Sequence, residues 1–180
     1  RAFPVGALMT LDTGGPVNFK PRPVEGAPPA AKDATPRSLL LDGQQRMTSL
    51  YQVTLRGQVV ETVTPKNKKV QRWFYIDIRK ALDSAVDRDE AVVGVPPDRV
   101  VRAEFGRGEV LDVSTPEKEY AALMYPVTQV FDSCDWQDGF DEHWRGDKHE
   151  EMRKLFRQFR QKVLENFKYY QVPVIALDQS

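Results

Sequence analysis

Leu39-Leu40-Leu41-Asp42-Gly43-Gln44-Gln45-Arg46-Met47-Thr48-Ser49-Leu50-Tyr51 is the stretch on which the reading of the fold turns. Ser38 to Leu41 is short and continuously apolar after its serine, the pattern of a buried strand. Beyond it, Met47, Leu50, Tyr51 and Thr54 recur at i, i+3, i+4 and i+7, one face of a helix. Asp42 stands where an N-cap belongs, and Gln45 follows at the spacing of a capping box. Gly57 is the expected helix stop. The first N–H groups of a helix lack intrahelical partners and carry partial positive charge, so such an end can hold a phosphate. Arg46 in the first turn adds a planar, permanently charged fork. The plainer alternative is a capped helix with Arg46 as a solvated charge, since caps are far commoner than catalytic sites.

Asp42-Gly43-Gln44-Gln45-Arg46, followed by Met47-Thr48-Ser49-Leu50, resembles the DGQQR signature of the GmrS-type N-terminal domain family. That family occurs in modification-dependent restriction and phage-defence proteins such as GmrSD and SspE. Phe3-Pro4-Val5-Gly6 resembles the family's opening strand, Trp73-Phe74-Tyr75-Ile76-Asp77 the strand after the signature helix, and Tyr169-Tyr170-Gln171-Val172-Pro173-Val174-Ile175 a later strand. The likeness spans most of the chain. Only the signature is specific; the other segments gain weight from their order.

The resemblance implies an α+β fold of ParB/sulfiredoxin-like type, a small mixed β-sheet with packed helices. It also implies NTP binding and hydrolysis that regulates or powers a DNA-targeting defence nuclease lying outside this chain. On that footing Asp42, Gln44, Gln45 and Arg46 are the candidate catalytic residues, and Gly43, Arg46 and Thr48 the candidate nucleotide contacts. Asp42 is the candidate Mg²⁺ ligand, since hard cations prefer carboxylates. NTP hydrolysis needs positioning and charge neutralisation more than covalent chemistry. Gln44 or Gln45 would orient the attacking water, and Asp42 cannot serve fully as both cap and metal ligand. Glutamine also reads bases well, so DNA contact by the motif stays open. Sulfiredoxin-like redox chemistry does not fit, because the motif contains no cysteine.

The length of 180 residues suits one domain with a real core, and 41% apolar with 29% charged residues is ordinary for a soluble globular protein. Formal net charge is zero, so any nucleic-acid site must be local. The single cysteine, Cys134, can make neither an intrachain disulfide nor a CxxC half-site, and a reducing cytoplasm is the simplest home. No apolar run reaches membrane-spanning length and no signal-peptide pattern opens the chain. The chain begins at Arg1 directly on a strand and stops at Asp178-Gln179-Ser180, just after the strand-like Val172 to Leu177. Members of the resembled family carry further helices at both ends and often an HNH-type nuclease module. A piece of a larger protein is therefore expected, with a second copy or a nuclease domain as partner.

In chain order, Phe3 to Leu11 is the first strand candidate. Residues 12–37 follow with Gly14-Gly15 and prolines at 16, 21, 23, 28, 29 and 36, which deny them a regular ladder. This long loop is either a variable surface excursion or a lid that brings Lys20 and Arg22 over Asp42. Val59–Val63 and Val70–Ile78 read as a hairpin around the charged turn Pro65–Lys69. Lys66, Lys68, Lys69 and Arg72 beside Trp73, Phe74 and Tyr75 have the composition of a single-strand-binding patch. The plainer reading puts these aromatics in a core and the lysines on a soluble tip. Lys68, Lys69 and Arg72 are kept as candidate DNA contacts.

Arg79–Val86 can form a short helix, and Glu109–Val113 can pair back on Val100–Phe105. Thr115 and Pro116 are a helix cap and first residue, with the helix running to about Met124 and ended by Tyr125-Pro126-Val127. Val130-Phe131 resembles a short P-L-x-x-L-F-D element of the family. Glu142–Tyr169 reads as one long helix with Met152, Leu155, Phe156, Phe159, Val163 and Phe167 on a single stripe. Arg153, Arg157 and Arg160 share another face, able to meet phosphates or to be balanced by Glu150, Glu151 and Glu165. His143 and His149 lack a recognised metal spacing and read as surface residues.

There is no P-loop, dinucleotide fingerprint, G-x-S-x-G elbow, H-E-x-x-H or HNH motif. Three readings remain: a nucleotide-hydrolysing domain of a defence nuclease, a ParB-like nucleotide-switched DNA-binding module without significant turnover, and an inactive scaffold.

Overall fold

The structure, a computed structural model, describes residues 6–16, 19–103 and 108–177, with the backbone alone at Glu109. Phe3-Pro4-Val5, the reach of a strand to Phe105, and Asp178 to Ser180 lie outside these residues. The strands are β1 (Leu8–Asp12), β2 (Ser38–Asp42), β3 (Val60–Val63), β4 (Lys69–Asp77), β5 (Val92–Val95), β6 (Val100–Arg102), β7 (Glu109–Asp112), β8 (Met124–Pro126) and β9 (Val174–Leu177). The helices are α1 (Gln44–Thr54), α2 (Ile78–Leu82), α3 (Pro116–Ala122), α4 (Cys134–His143), α5 (His149–Phe159) and α6 (Glu165–Lys168). The class is α+β, with small, largely antiparallel sheets and packed helices. Among the described residues no helix is long and apolar enough to cross a membrane. The chain clusters into two compact units, Arg1–Arg56 with Tyr170–Ser180, and Gly57–Tyr169.

The first unit holds a three-stranded sheet in the order β2-β1-β9. β1 is antiparallel to β2 and parallel to β9. Because β2 is an edge, Leu39–Leu41 are half-buried and not enclosed as their continuous apolar run predicts. The β1–β2 register shifts between Met9 and Thr10, a bulge that leaves Met9 opposite Asp42. Bulges of this kind re-aim side chains at strand ends. Residues 12–37 close on themselves at the base, where the Thr13 N–H donates to the Arg37 carbonyl at 2.9 Å and the Thr13 hydroxyl reaches the Pro36 carbonyl at 2.8 Å. The only helical turn among the described residues of this loop is Pro29–Lys32.

In the second unit β3 and β4 form the expected hairpin, and β4 is long enough to serve two further neighbours. Its second half pairs with β5 on one side and β8 on the other, both antiparallel. Tyr75, Val95, Val113 and Met124 are buried together, with Trp73, Val93, Val101 and Leu111 packed against them. β8 corrects the expectation that Tyr125-Pro126 merely ends a helix. α3 stops at Ala122 because Leu123 turns left-handed, at φ 56°, and the chain then joins β4 as a three-residue strand.

The single long helix expected over Glu142–Tyr169 is also corrected. α4 is a separate helix that begins at Cys134, and a turn through Gly146, at φ 131°, separates it from α5. Glycine alone tolerates that φ without strain. Arg160–Leu164 then forms a π-helical segment between α5 and α6. Its extra residue explains why the buried stripe runs Met152, Phe156, Phe159, Leu164. The last step is i+5, so Leu164 replaces the expected Val163, and Phe167 is left 40% exposed. Tyr120, Tyr125, Trp136, Phe140, Phe156 and Phe159 pack as one aromatic group, for example Tyr125 on Trp136 at 4.9 Å and Phe140 on Phe156 at 5.3 Å.

A charged group sits inside this packing. Glu119, an acid in the first turn of α3, is 4% exposed. It accepts hydrogen bonds from the Tyr75 hydroxyl at 2.9 Å and from Trp136 Nε1 at 3.0 Å. Arg99 approaches it at 3.8 Å while lying over the Trp73 ring at 4.8 Å. Arg99 adopts a left-handed φ of 59°, pinned by its N–H to the Pro96 carbonyl at 2.9 Å and by its carbonyl to the Val113 N–H at 3.0 Å. Burial pushes the Glu119 carboxyl above its ordinary value, and the hydrogen bonds and Arg99 offset only part of this. The stabilising contribution of this group is therefore full below pH 4.5 and is lost as pH rises through the raised folded value. Thermal unfolding as a function of pH should show wild type losing ground to Glu119→Gln as pH climbs from below 4.5. Two parallel pH curves would contradict the burial argument.

Candidate functional site

The signature residues stand where β2 runs into α1. Asp42 is the last residue of the strand, and Gly43 takes the N-cap position with φ 91° and ψ 8°. The expectation that Asp42 caps the helix is corrected, because the cap position makes no side-chain hydrogen bond. The cause lies in β2, which extends through Asp42 and commits its backbone to the ladder with Met9. The first intrahelical bond is Met47 N–H to the Gly43 carbonyl at 3.0 Å. The amides of Gln44 and Gln45 therefore precede the helical ladder, without the reciprocal bonds of a capping box.

Arg46 is the organising side chain. Its guanidinium donates to the Ala7 carbonyl at 3.0 Å and to Asp42 Oδ2 at 3.2 Å. The Arg46 side chain is 34% exposed and that of Asp42 71% exposed. Two glycines make room for it. A Cβ at Gly6 would come within 2.0 Å of an Arg46 guanidinium nitrogen, and one at Gly43 within 2.4 Å of Leu8 Cδ2 and 3.2 Å of Arg46. Both glycines also have positive φ, 84° and 91°. The glycine of the opening Phe-Pro-Val-Gly segment and the arginine of the signature are thus in contact, although forty positions separate them in the sequence.

The two glutamines differ. Gln44 Nε2 donates back to the Leu40 carbonyl at 2.9 Å and so braces the strand end. Gln45 is exposed. Thr48 lies half-buried in the second turn of α1, beyond the residues that open the helix. The lid expectation finds no counterpart in the described contacts. Residues 25 and 26 touch the far end of α1, where the Gly26 carbonyl accepts from the Tyr51 hydroxyl and the Glu25 carbonyl from Gln52, both at 3.4 Å. Lys20 and Arg22 are exposed.

Lys68, Lys69 and Arg72 belong to the other unit. Lys69 and Arg72 line a shallow groove with Glu61, Gln71 and Pro96-Pro97, while Lys68 sits in the turn before it. The neighbouring aromatics are used for packing: Tyr75 is in the core and Trp73 lies under Arg99. His143 packs beside Tyr120 and Trp144, at ring distances of 5.7 and 5.1 Å. Among the described residues no group of three or more His, Cys, Asp or Glu side chains is assembled for a metal ion. The parts of the junction that sequence reasoning missed are backbone groups, the Ala7 and Leu40 carbonyls, which no residue type announces.

Compared with protein-family models, with curated proteins and with solved structures, the chain matches none.

The geometry separates two kinds of substitution. Asp42→Ala removes one exposed ion pair and should cost under about 1 kcal/mol. Gly43→Ala forces a side chain into a left-handed position against Leu8 and should cost roughly 1–3 kcal/mol. Urea unfolding of both variants checks this order. A larger loss in Asp42→Ala would restore Asp42 as the helix cap.

Proposed function

We propose that the β2-α1 junction binds a nucleoside triphosphate and supports its hydrolysis, within a domain of ParB/sulfiredoxin-like type that serves a DNA-targeting defence nuclease. The observation that carries this reading is the placement of Arg46. A permanently charged fork is fixed by a backbone carbonyl, over two glycines, beside a helix start without a side-chain cap. A helix that needed only a start would be satisfied by an ordinary N-cap residue. The likeness of Asp42 to Arg46 to the DGQQR signature supports the same reading.

In the proposed arrangement the amides of Gln44 and Gln45 receive phosphate oxygens. Arg46 exchanges its bond to Asp42 for one to the terminal phosphate, where charge develops as the β–γ bridging bond breaks. The exchange is inexpensive, because an exposed pair of this kind is worth about 0–1 kcal/mol. Gln45 orients the attacking water, whose oxygen bonds to the γ-phosphorus while the nucleoside diphosphate leaves. Gln44 keeps the strand end in place through Leu40.

The donor chemistry fits Mg²⁺ in one respect. Asp42 offers a single, largely exposed carboxylate, and this ion typically takes one or two carboxylates and keeps its waters and the substrate phosphates as other ligands. Bound there, it would neutralise charge on the phosphate oxygens.

Mg²⁺-dependent phosphate release by the full-length protein, measured for each of the four common NTPs with and without DNA, tests the proposal. Arg46→Ala is expected to lower turnover by about a hundredfold. Gln45→Ala should lower kcat, whereas Gln44→Ala should chiefly lower stability. Nucleotide-dependent DNA binding with no phosphate release would select the switched DNA-binding module instead. Absence of both activities would leave the inactive scaffold.

A further inference from the structure

A second basic site lies in the unit Gly57–Tyr169, in the cleft between α4 and α5. Gln137 and Asp141 line it from α4, one turn apart, and Arg153, Arg157 and Arg160 line it from the facing helix, with Phe156 among them. Phe156 is 4% exposed and belongs to the aromatic core, so the guanidinium groups stand over a packed floor. Asp141 and Gln137 are half-buried and the arginines exposed.

The charges in this cleft are unbalanced. Arg153 reaches Glu150 and Arg160 reaches Glu165, each at 3.7 Å, long and exposed pairs that are easily exchanged. Among the described residues Arg157 has no carboxylate within ion-pair distance, and Asp141 pairs with none of the arginines. Among the residues that line the cleft three guanidinium groups face one carboxylate, Glu150 and Glu165 not being part of the lining, and of the three arginines Arg157 alone is left without an acidic partner. Arg160 is also the first residue of the π segment, a local departure from regular helix that is frequent at functional sites. The π turn starts after Arg157, so Arg153, Arg157 and Arg160 keep regular α-helical spacing and share one face.

We infer that this cleft binds a phosphate group, taken up by the Arg157 fork with Arg153 and Arg160 on either side and Gln137 as an uncharged donor. Arginine forks match phosphate oxygens in pairs, so the Arg157 fork takes two oxygens of the group while Arg153, Arg160 and the Gln137 amide meet it from the sides. Asp141 opposes the ligand and sets the affinity low enough for release. The phosphate comes either from a nucleic-acid backbone or from a small free phosphate compound. The site is distinct in residues from the Asp42–Arg46 junction.

Titration of the full-length protein with inorganic pyrophosphate and, separately, with a short DNA duplex tests the inference. Calorimetry would follow wild type, Arg157→Ala, Asp141→Asn and Arg46→Ala. Arg157→Ala should weaken binding by about tenfold and Asp141→Asn should tighten it by several-fold, in opposite directions. Arg46→Ala should leave the pyrophosphate or duplex event that responds to Arg157→Ala unchanged. Response with pyrophosphate identifies a small phosphate ligand, and response with the duplex alone identifies a backbone. The inference is overturned if neither probe binds, or if both cleft variants, checked as folded by circular dichroism, bind like wild type.

Discussion

The guanidinium of Arg46, shared between the Ala7 carbonyl and the Asp42 carboxylate, is the constraint around which the first unit is arranged. It ties the approach to β1, the end of β2 and the start of α1 into one corner. The hydrogen bonds to Ala7 and Asp42 are individually modest. The geometry they impose is not, because two backbone positions must remain without a Cβ for the guanidinium and Leu8 to fit. Gly43 supplies the left-handed residue that turns strand into helix, and Gln44 braces the same corner by reaching back to Leu40. Local backbone chemistry and a single long side chain thus place an arginine, an acid and two amide side chains within a few residues of one helix start.

Much of this was legible in the sequence, because it rests on period and on composition. The hairpin of β3 and β4, the stripe through Met152, Phe156 and Phe159, and the change from apolar run to helical spacing at Asp42 all follow from side-chain pattern. What escaped depends on partners far away in the chain. β8 is three residues long and is a strand only because β4 offers an edge. α4 merges with α5 in a periodic reading, since the break at Gly146 is a matter of backbone φ. Glu119 gives no hint of burial, because Tyr75, Arg99 and Trp136 meet it only after folding. The neighbours of Asp42 alone give it the pattern of a cap, whereas pairing with Met9 decides its backbone.

Charge is handled differently in the two units. In the second, a carboxyl group is taken out of water and only partly compensated by a tyrosine hydroxyl, an indole and a guanidinium. Removing one partner of such a group is costly, because it leaves a buried charge without compensation. In the first, Asp42 and Arg46 remain largely or partly exposed and their mutual bond is weak enough to exchange. An exposed, exchangeable pair beside a helix start without a side-chain cap is suited to ligand capture, and a buried, fully bonded carboxylate is suited to fixing a core. A net charge of zero describes neither.

The most direct measurement is nitrogen-resolved NMR of the protein titrated with a non-hydrolysable NTP and Mg²⁺, following the backbone amides of Gln44 and Gln45 and their side-chain carboxamides. Nucleotide capture at the junction predicts large, saturable shifts of both backbone amides and of the Gln45 carboxamide, with the Gln44 carboxamide held at its bond to Leu40. Saturable nucleotide binding that leaves these resonances in place, or no binding at all, would contradict it.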